Sequence, residues 1–218
     1  MTTVVVFDYG FGNVRSMLRA VAATGVQAVL TGDCLQASEA DGLVVPGVGA
    51  FAECMKGLRN AGGDRVIYER IEKGRPVLGV CVGLQVMFNS GFEGGKECEG
   101  LGLAAGSVTE LKADVVPHMG WNTVEAPENM RLFKGIENER FYFVHSYAVH
   151  DFGQEKPENA FESLPENKAL AAMCEYGESR FVAAYENGAL SATQFHPEKS
   201  AQAGAALLKN WIDGFPTL

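Results

Sequence analysis

Short apolar runs alternating with helical patterns, from the N-terminus to position 81, leave few folds open to this chain. The runs Val4–Asp8, Leu43–Val45 and Val77–Val80 read as strands. After Asn13, an N-cap residue by type, Val14, Met17, Leu18, Val21 and Ala22 recur at the spacing of one helix face. A second helical stretch runs from Ala50 to Lys73, with a break at Gly62-Gly63. Strands alternating with helices predict an α/β fold, a mostly parallel sheet with helices on its faces.

The later sequence changes character. From Gly100 to Tyr147 the pattern is short strands and turns, which predicts antiparallel additions at the sheet edge. Further strands read at Phe141–Val144, Phe181–Tyr185 and Leu190–Gln194. The stretch Asp151–Lys168, rich in Glu, Pro and Asn, reads as a solvated excursion within the fold. A last helix carries Leu207, Leu208, Trp211 and Phe215 on one side. No internal repeat appears, and 218 residues, 47% of them hydrophobic, suffice for one sizeable core. One domain over residues 1–218 is therefore expected.

Charge narrows the function. With 18 basic and 27 acidic side chains the formal charge is −9, which argues against binding the backbone of a nucleic acid. No apolar run reaches the roughly 18 residues of a membrane helix. The start, Met1-Thr2-Thr3 followed at once by Val4, lacks a basic signal region and reads as a first strand, so a cytoplasmic enzyme is expected. Five scattered cysteines show no Cys-x-x-Cys spacing and suggest neither a zinc site nor a disulfide framework. No ligand cluster implies a metal or organic cofactor.

Cys81 stands apart from the other four. In Pro76-Val-Leu-Gly-Val-Cys-Val-Gly-Leu-Gln85 an apolar strand runs into Gly79-x-Cys81-x-Gly83, and a helical pattern (Leu84, Val86, Met87) follows. Small residues two before and two after permit a sharp strand-to-helix turn that lifts the side chain out of the sheet. A helix N-terminus there would favour the thiolate and present backbone N–H groups to an oxyanion. For an isolated cysteine, a buried thiol at a tight turn is the commoner case.

A thiol nucleophile needs a base. His196 lies just past the last strand in Gln194-Phe-His-Pro-Glu198. Pro197 pushes His196 toward extended backbone, where residues two apart share a side, so Glu198 would orient the imidazole. That is the logic of a Cys-His-acid triad. A lone His-Pro-Glu is more often a surface pair; the cysteine turn gives it a partner. His118 and His145 compete for the base role, and His150 reads as exposed.

Gly79-Val-Cys-Val-Gly-Leu-Gln85 together with Gln194-Phe-His-Pro-Glu198 resembles the class I, triad-type glutamine amidotransferases. Within them, Asp8-Tyr-Gly-Phe-Gly-Asn13, Pro46-Gly-Val-Gly-Ala-Phe51, Pro117-His-Met-Gly-Trp-Asn122, Tyr142-Phe-Val-His-Ser-Tyr147 and His196-Pro-Glu-Lys-Ser200 are similar to the glutaminase subunits of imidazole glycerol phosphate synthases. The resemblance covers nearly the whole chain. It implies an open, flavodoxin-like sheet, with Cys81 as nucleophile, His196 as base and Glu198 as its orienter. It implies that Gln85, Glu93, Ser146 and Tyr147 hold L-glutamine. Gly47, Val48, Gly49 and the amide of Val82 would form the oxyanion hole, and Asn13, Trp121, Tyr142 and Lys199 would face the partner. That partner would be a (βα)8-barrel cyclase subunit, which receives the ammonia and makes imidazole glycerol phosphate and an aminoimidazole carboxamide ribotide in histidine biosynthesis.

Gly47 and Gly49 would let a peptide rotate, so that the oxyanion donors align only when the partner docks. The same Pro-Gly-Val-Gly segment also suits an ordinary strand-ending turn. Three features depart from the resemblance: Ala192 stands where many relatives carry glycine, 151–168 is long and acidic, and Glu93 follows Gly91 rather than a charged run. A stand-alone cysteine hydrolase and a non-enzymatic relative are the rival readings. Neither explains the glycine-rich strand together with the intact triad.

Overall fold

The computed structural model describes residues 1–152 and 169–216. Strand β1 (Thr3–Phe7) leads through helix α1 (Val14–Ala22) to β2 (Gln27–Thr31), and α2 (Cys34–Glu39) leads to β3 (Gly42–Gly47). Two helices, α3 (Phe51–Asn60) and α4 (Gly63–Glu72), precede β4 (Val77–Cys81), and the single helical turn α5 (Val82–Gln85) follows it. Six strands come next: β5 (Phe88–Glu93), β6 (Lys96–Glu99), β7 (Ala104–Glu110), β8 (His118–Thr123), β9 (Arg140–His145) and β10 (Tyr147–Val149). Then β11 (Leu170–Tyr176), β12 (Ser179–Asn187), β13 (Leu190–Thr193) and helix α6 (Ala201–Asp213) complete the chain.

Among the described residues, seven strands form the central sheet in the order β11-β12-β13-β4-β3-β1-β2. The five from β13 to β2 run parallel, and β12 and β11 pair antiparallel at one edge. Strands β3 and β4 are buried along their whole length because helices cover both faces. α1 buries Met17 and Val21 from the predicted face, and α6 buries Leu207, Leu208 and Trp211. The Trp211 ring meets Phe215 edge-on at 4.8 Å. Each such side chain removed from water stabilises the fold by about 1.5–3 kcal/mol.

One cation is buried in this framework. The Arg70 guanidinium on α4 donates to the carbonyls of Ala37, Ser38 and Ala40 (2.8, 3.1 and 2.8 Å) and of Asp41 and Pro76 (3.2 and 2.9 Å). It thus satisfies carbonyls at the C-terminal end of α2 and ties that end to the approach of β4. Burial pulls its pKa down to about 10.

The parallel sheet and the two helices divided at Gly62-Gly63 agree with expectation. The antiparallel edge also exists, but it is supplied by β11 and β12 and not by the middle of the chain. Residues 88–149 instead build a four-stranded sheet, β10-β7-β5-β6, and the separate ribbon β8–β9. The physical reason is burial: β7 alternates buried and half-buried residues, as a strand with one covered face does, and it finds partners of its own. Asn13 stands at the N-cap of α1, yet its side chain makes no capping bond. Most of the acidic excursion, 153–168, lies outside the described residues.

Candidate active site

β3, β4 and β13 are adjacent and parallel, so their carboxyl ends meet, with Gly47 in register beside Cys81 and Thr193 beside Val80. In an open parallel sheet this end is where a cleft forms. Cys81 closes β4 with φ 58° and ψ −113°, a backbone conformation that an L-residue rarely adopts. The flanking glycines permit it: a β-carbon on Gly83 would strike the carbonyl oxygen of Val45, and one on Gly79 that of Gly83. The predicted turn is present, but the helix after it is one turn long, since Phe88 already begins β5. The helix dipole expected to favour the thiolate is correspondingly small, which leaves the free amides of a single turn.

His196 follows β13 with φ −100° and ψ 100°, extended as the following proline dictates. Residues Pro197–Lys199 then close a 3-10 turn, so this turn, rather than continued extended chain, brings Glu198 back onto the ring. Glu198 Oε1 accepts from His196 Nδ1 at 2.9 Å, with both side chains almost wholly buried. Cys81 lies in the same cavity wall as His196 and favours the charged form of its ring. Burial opposes the imidazolium charge, but Cys81 and Glu198 outweigh it and hold the His196 pKa up at about 9. Ser200 Oγ fixes the backbone by donating to the His196 carbonyl at 2.7 Å and accepting from the Tyr142 N–H at 3.0 Å. Sequence reasoning gave Ser200 no role.

A cavity of about 310 Å³ opens over the thiol and brings most of the expected residues together. Cys81 and His196 lie in its wall with Gln85, Glu93, Ser146 and Tyr147, and Val48, Gly49 and Val82 line it too. Gly47 sits beside Cys81 in the sheet rather than on the cavity wall. Glu93 Oε2 accepts the Phe51 N–H at 2.9 Å, so β5 and the start of α3 hold that carboxylate in place. Gln85 Nε2 donates to the Tyr147 carbonyl at 2.8 Å and to Gln194 Oε1 at 3.0 Å. Gln194 Nε2 lies 3.8 Å from Cys81 Sγ. Gln194 belongs to the same motif as His196, but the sequence alone does not reveal its contact with the thiol. Gly49 has φ 96°, and the Val48 carbonyl accepts from the Cys54 thiol at 3.2 Å.

The four residues assigned to a partner surface do not all share one environment. Trp121 is 43% exposed and meets Tyr142 edge-on, with ring centroids 6.0 Å apart. The Lys199 ammonium lies 5.8 Å from the centre of the Tyr142 ring and also borders the cavity. Asn13 is half-buried at the N-cap of α1. Of the competing histidines, His118 and His145 are buried, which pulls their pKa values down to about 4 and about 3, and neither bonds a carboxylate. His150 is half-buried, not exposed: its Nδ1 faces the Arg180 carbonyl at 3.3 Å. All five cysteines are free. Among the described residues no helix is long and apolar enough to cross a membrane.

Comparison with known proteins places this geometry. The family described as Glutamine amidotransferase class-I matches residues 5–214. The imidazole glycerol phosphate synthase subunit HisH of Bifidobacterium longum is 62% identical over 212 residues, which are 97% of this chain and 99% of that one. The subunit HisH of Streptomyces avermitilis is 56% identical, over 96% of this chain and 95% of that one. A crystal structure of a glutamine amidotransferase superposes with a TM-score of 0.71 at 17% identity, covering 96% and 97% of the two chains. A glutamine amidotransferase structure from Thermotoga maritima gives 0.57 at 17%, covering 97% and 81%. At those identities the structural likeness speaks for the fold alone.

Proposed function

This chain belongs to the class I glutamine amidotransferases, among the HisH subunits of imidazole glycerol phosphate synthase, and we propose that Cys81, His196 and Glu198 are the triad through which it acts. The activity is glutamine hydrolysis, and the chain is one subunit of a complex that also contains a cyclase. The observation that carries the residue assignment is the buried His196–Glu198 pair, 2.9 Å apart, sharing a cavity wall with the strained Cys81.

His196, favoured in its charged form by Cys81 and Glu198, holds the thiol proton as Cys81 Sγ attacks the side-chain amide carbon of glutamine. The oxygen of the tetrahedral intermediate is stabilised by N–H groups of the Gly47-Val48-Gly49 segment and of Val82. The imidazolium, favoured by Cys81 and Glu198, then protonates the amide nitrogen. Ammonia leaves and a γ-glutamyl thioester remains. Water, deprotonated by His196, attacks the thioester, and glutamate leaves as the sulfur regains its proton. Glutamine plus water has become glutamate plus ammonia. Gln85 and Glu93, with the backbone at Ser146 and Tyr147, hold the substrate over the thiol.

Ammonia passes to the cyclase, a (βα)8 barrel docked on the face that carries Asn13, Trp121, Tyr142 and Lys199, and the synthase products follow there. The exposed Trp121 and Met119 on β8, with the exposed Val48 on the cavity wall, support that face as the docking surface. Residues 1–218 act as one catalytic domain, in the cytoplasm. Rotation about Gly49 aligns the oxyanion donors on docking, which restrains hydrolysis by the undocked chain. The test is glutamate release from glutamine by the purified chain, alone and with the cyclase and its ribonucleotide. A low rate that rises sharply in the complex is expected; a high rate indifferent to partner and ligand would refute the gated, ammonia-donating role.

A further inference from the structure

Two buried histidines outside the triad form an ordered chain that ends at the substrate cavity. The β8–β9 register sets His118 opposite His145, and both rings are buried. His145 Nδ1 lies 3.0 Å from the Tyr147 carbonyl oxygen. A carbonyl only accepts, so this nitrogen carries the proton and Nε2 of the neutral ring is an acceptor. His118 Nδ1, 3.1 Å from that Nε2, must then donate, which leaves His118 Nε2 to accept from Asn122 Nδ2 at 3.4 Å. Neither ring is free to choose its tautomer. Burial keeps both below the pH at which an imidazole ordinarily charges, and a charged ring could accept nothing.

The chain converges on a group the cavity uses. The Tyr147 carbonyl accepts from His145 on one side and from Gln85 Nε2, at 2.8 Å, on the other, so both of its lone pairs are engaged. The same Gln85 nitrogen donates to Gln194, which reaches the thiol. Asn122, at the far end, is the neighbour of the exposed Trp121 on β8 and also donates to the Glu175 carbonyl at 2.9 Å. The rings are clamped as well as bonded: His118 stacks on Phe143 and Tyr176 with centroids 4.8 and 4.1 Å away.

We propose that His118 and His145 are positioning residues for glutamine: they fix the Tyr147 carbonyl, and through it the Gln85 amide, in the orientation that receives the substrate. The proposal rests on the glutaminase reading above. A core pair with no such role would affect stability when altered and leave substrate affinity alone. Phenylalanine at 118 keeps the stacking but offers no N–H, so His145 Nε2 loses the donor that holds its ring and the Nδ1–H is aimed less firmly at the Tyr147 carbonyl. In the complex with the cyclase, His118→Phe should raise KM for glutamine about ten-fold while kcat changes by less than about three-fold, the size of one lost hydrogen bond. Asparagine can place an amide N–H where Nδ1 stood, and His118→Asn should restore most of the affinity despite its weaker stacking.

Long-range nitrogen–proton NMR of the imidazoles in the parent protein reads the tautomers directly and does not depend on how the variants fold. Nδ1–H at both rings, with KM raised in His118→Phe and recovered in His118→Asn, supports the strut. An Nε2–H tautomer at His145, an unchanged KM in His118→Phe, or equal KM in the two variants overturns it. Failure of the underlying reaction would appear earlier and differently, as absence of glutamate release by the unaltered complex.

Discussion

Arg70 and His145 are both polar, both buried, and both bonded to backbone carbonyls, yet their bonds are organised differently. At Arg70 five carbonyls from the end of α2 and the approach to β4 converge on one cation, and the network closes on itself. From His145 the bonds run outward in one direction to Tyr147, and there they meet Gln85, Gln194 and the sulfur. The first arrangement satisfies groups that would otherwise be orphaned at a helix end. The second transmits orientation to atoms that face a cavity. Burial and a shifted pKa are common to both, so neither property separates a structural polar group from a functional one; where the chain of bonds ends does.

The comparison breaks most sharply at the sulfur. Cys81→Ala should lower glutamine-dependent turnover by about 10⁴-fold or more while free ammonia still drives the synthase reaction. Its unfolding midpoint near neutral pH should fall only by the support that Cys81 gives the His196 charge, because the backbone at 81 and its neighbours are unchanged. Glutamate release and thermal melting read the two effects separately, and retained turnover would remove Cys81 from the mechanism. Arg70→Met is the opposite case. Five carbonyls lose their donor, so stability should fall by about 3 kcal/mol, roughly 6–12 °C in midpoint for a chain of this size. Turnover per folded molecule should hardly change; a large loss of kcat with an intact midpoint would erase the distinction between the two networks.

The smallest effect is a matter of pH. His118 and His145 have folded-state pKa values pulled below 6.5, to about 4 and about 3, so the unfolded chain binds more protons there and stability is lost as pH falls from about 6.5 toward those values. His196 is raised to about 9, so its contribution is complete below about 6.5 and is lost as pH rises through 9. Melting midpoints taken from pH 4 to 10 should therefore decline on both sides of neutrality. His118→Phe should flatten the acid limb relative to the parent, and Cys81→Ala, which removes the largest support of the His196 charge, the alkaline one. Parallel profiles for parent and variants would show that these histidines do not titrate as their surroundings dictate.

How much of this was legible in the sequence depends on whether the cause was local. β1, β3 and β4 announce themselves because strands buried on both faces need uninterrupted apolar residues. The turn at Cys81 and the His196–Glu198 pair are equally local, set by glycine and proline within a few positions. β2 escaped notice because it is an edge strand with no fully buried residue, and the short α2 shows too few turns for a periodicity. The histidine chain could not be read at all. His118 and His145 are 27 positions apart and meet only because β8 and β9 pair in one register, a non-local choice that no window of sequence displays. Of the aromatics that stack on His118, Phe143 comes from β9 and Tyr176 from a further strand, β11.

The backbone at Cys81 sets activity and robustness against each other. A residue with a β-carbon held at φ 58° carries strain of order 1–3 kcal/mol, and glycine there would relieve it. The most easily won gain in heat resistance near this cleft thus lies at the nucleophile itself. A lineage selected for endurance alone would drift toward a sturdier, inert protein, and only a continuing demand for ammonia keeps sulfur at that position.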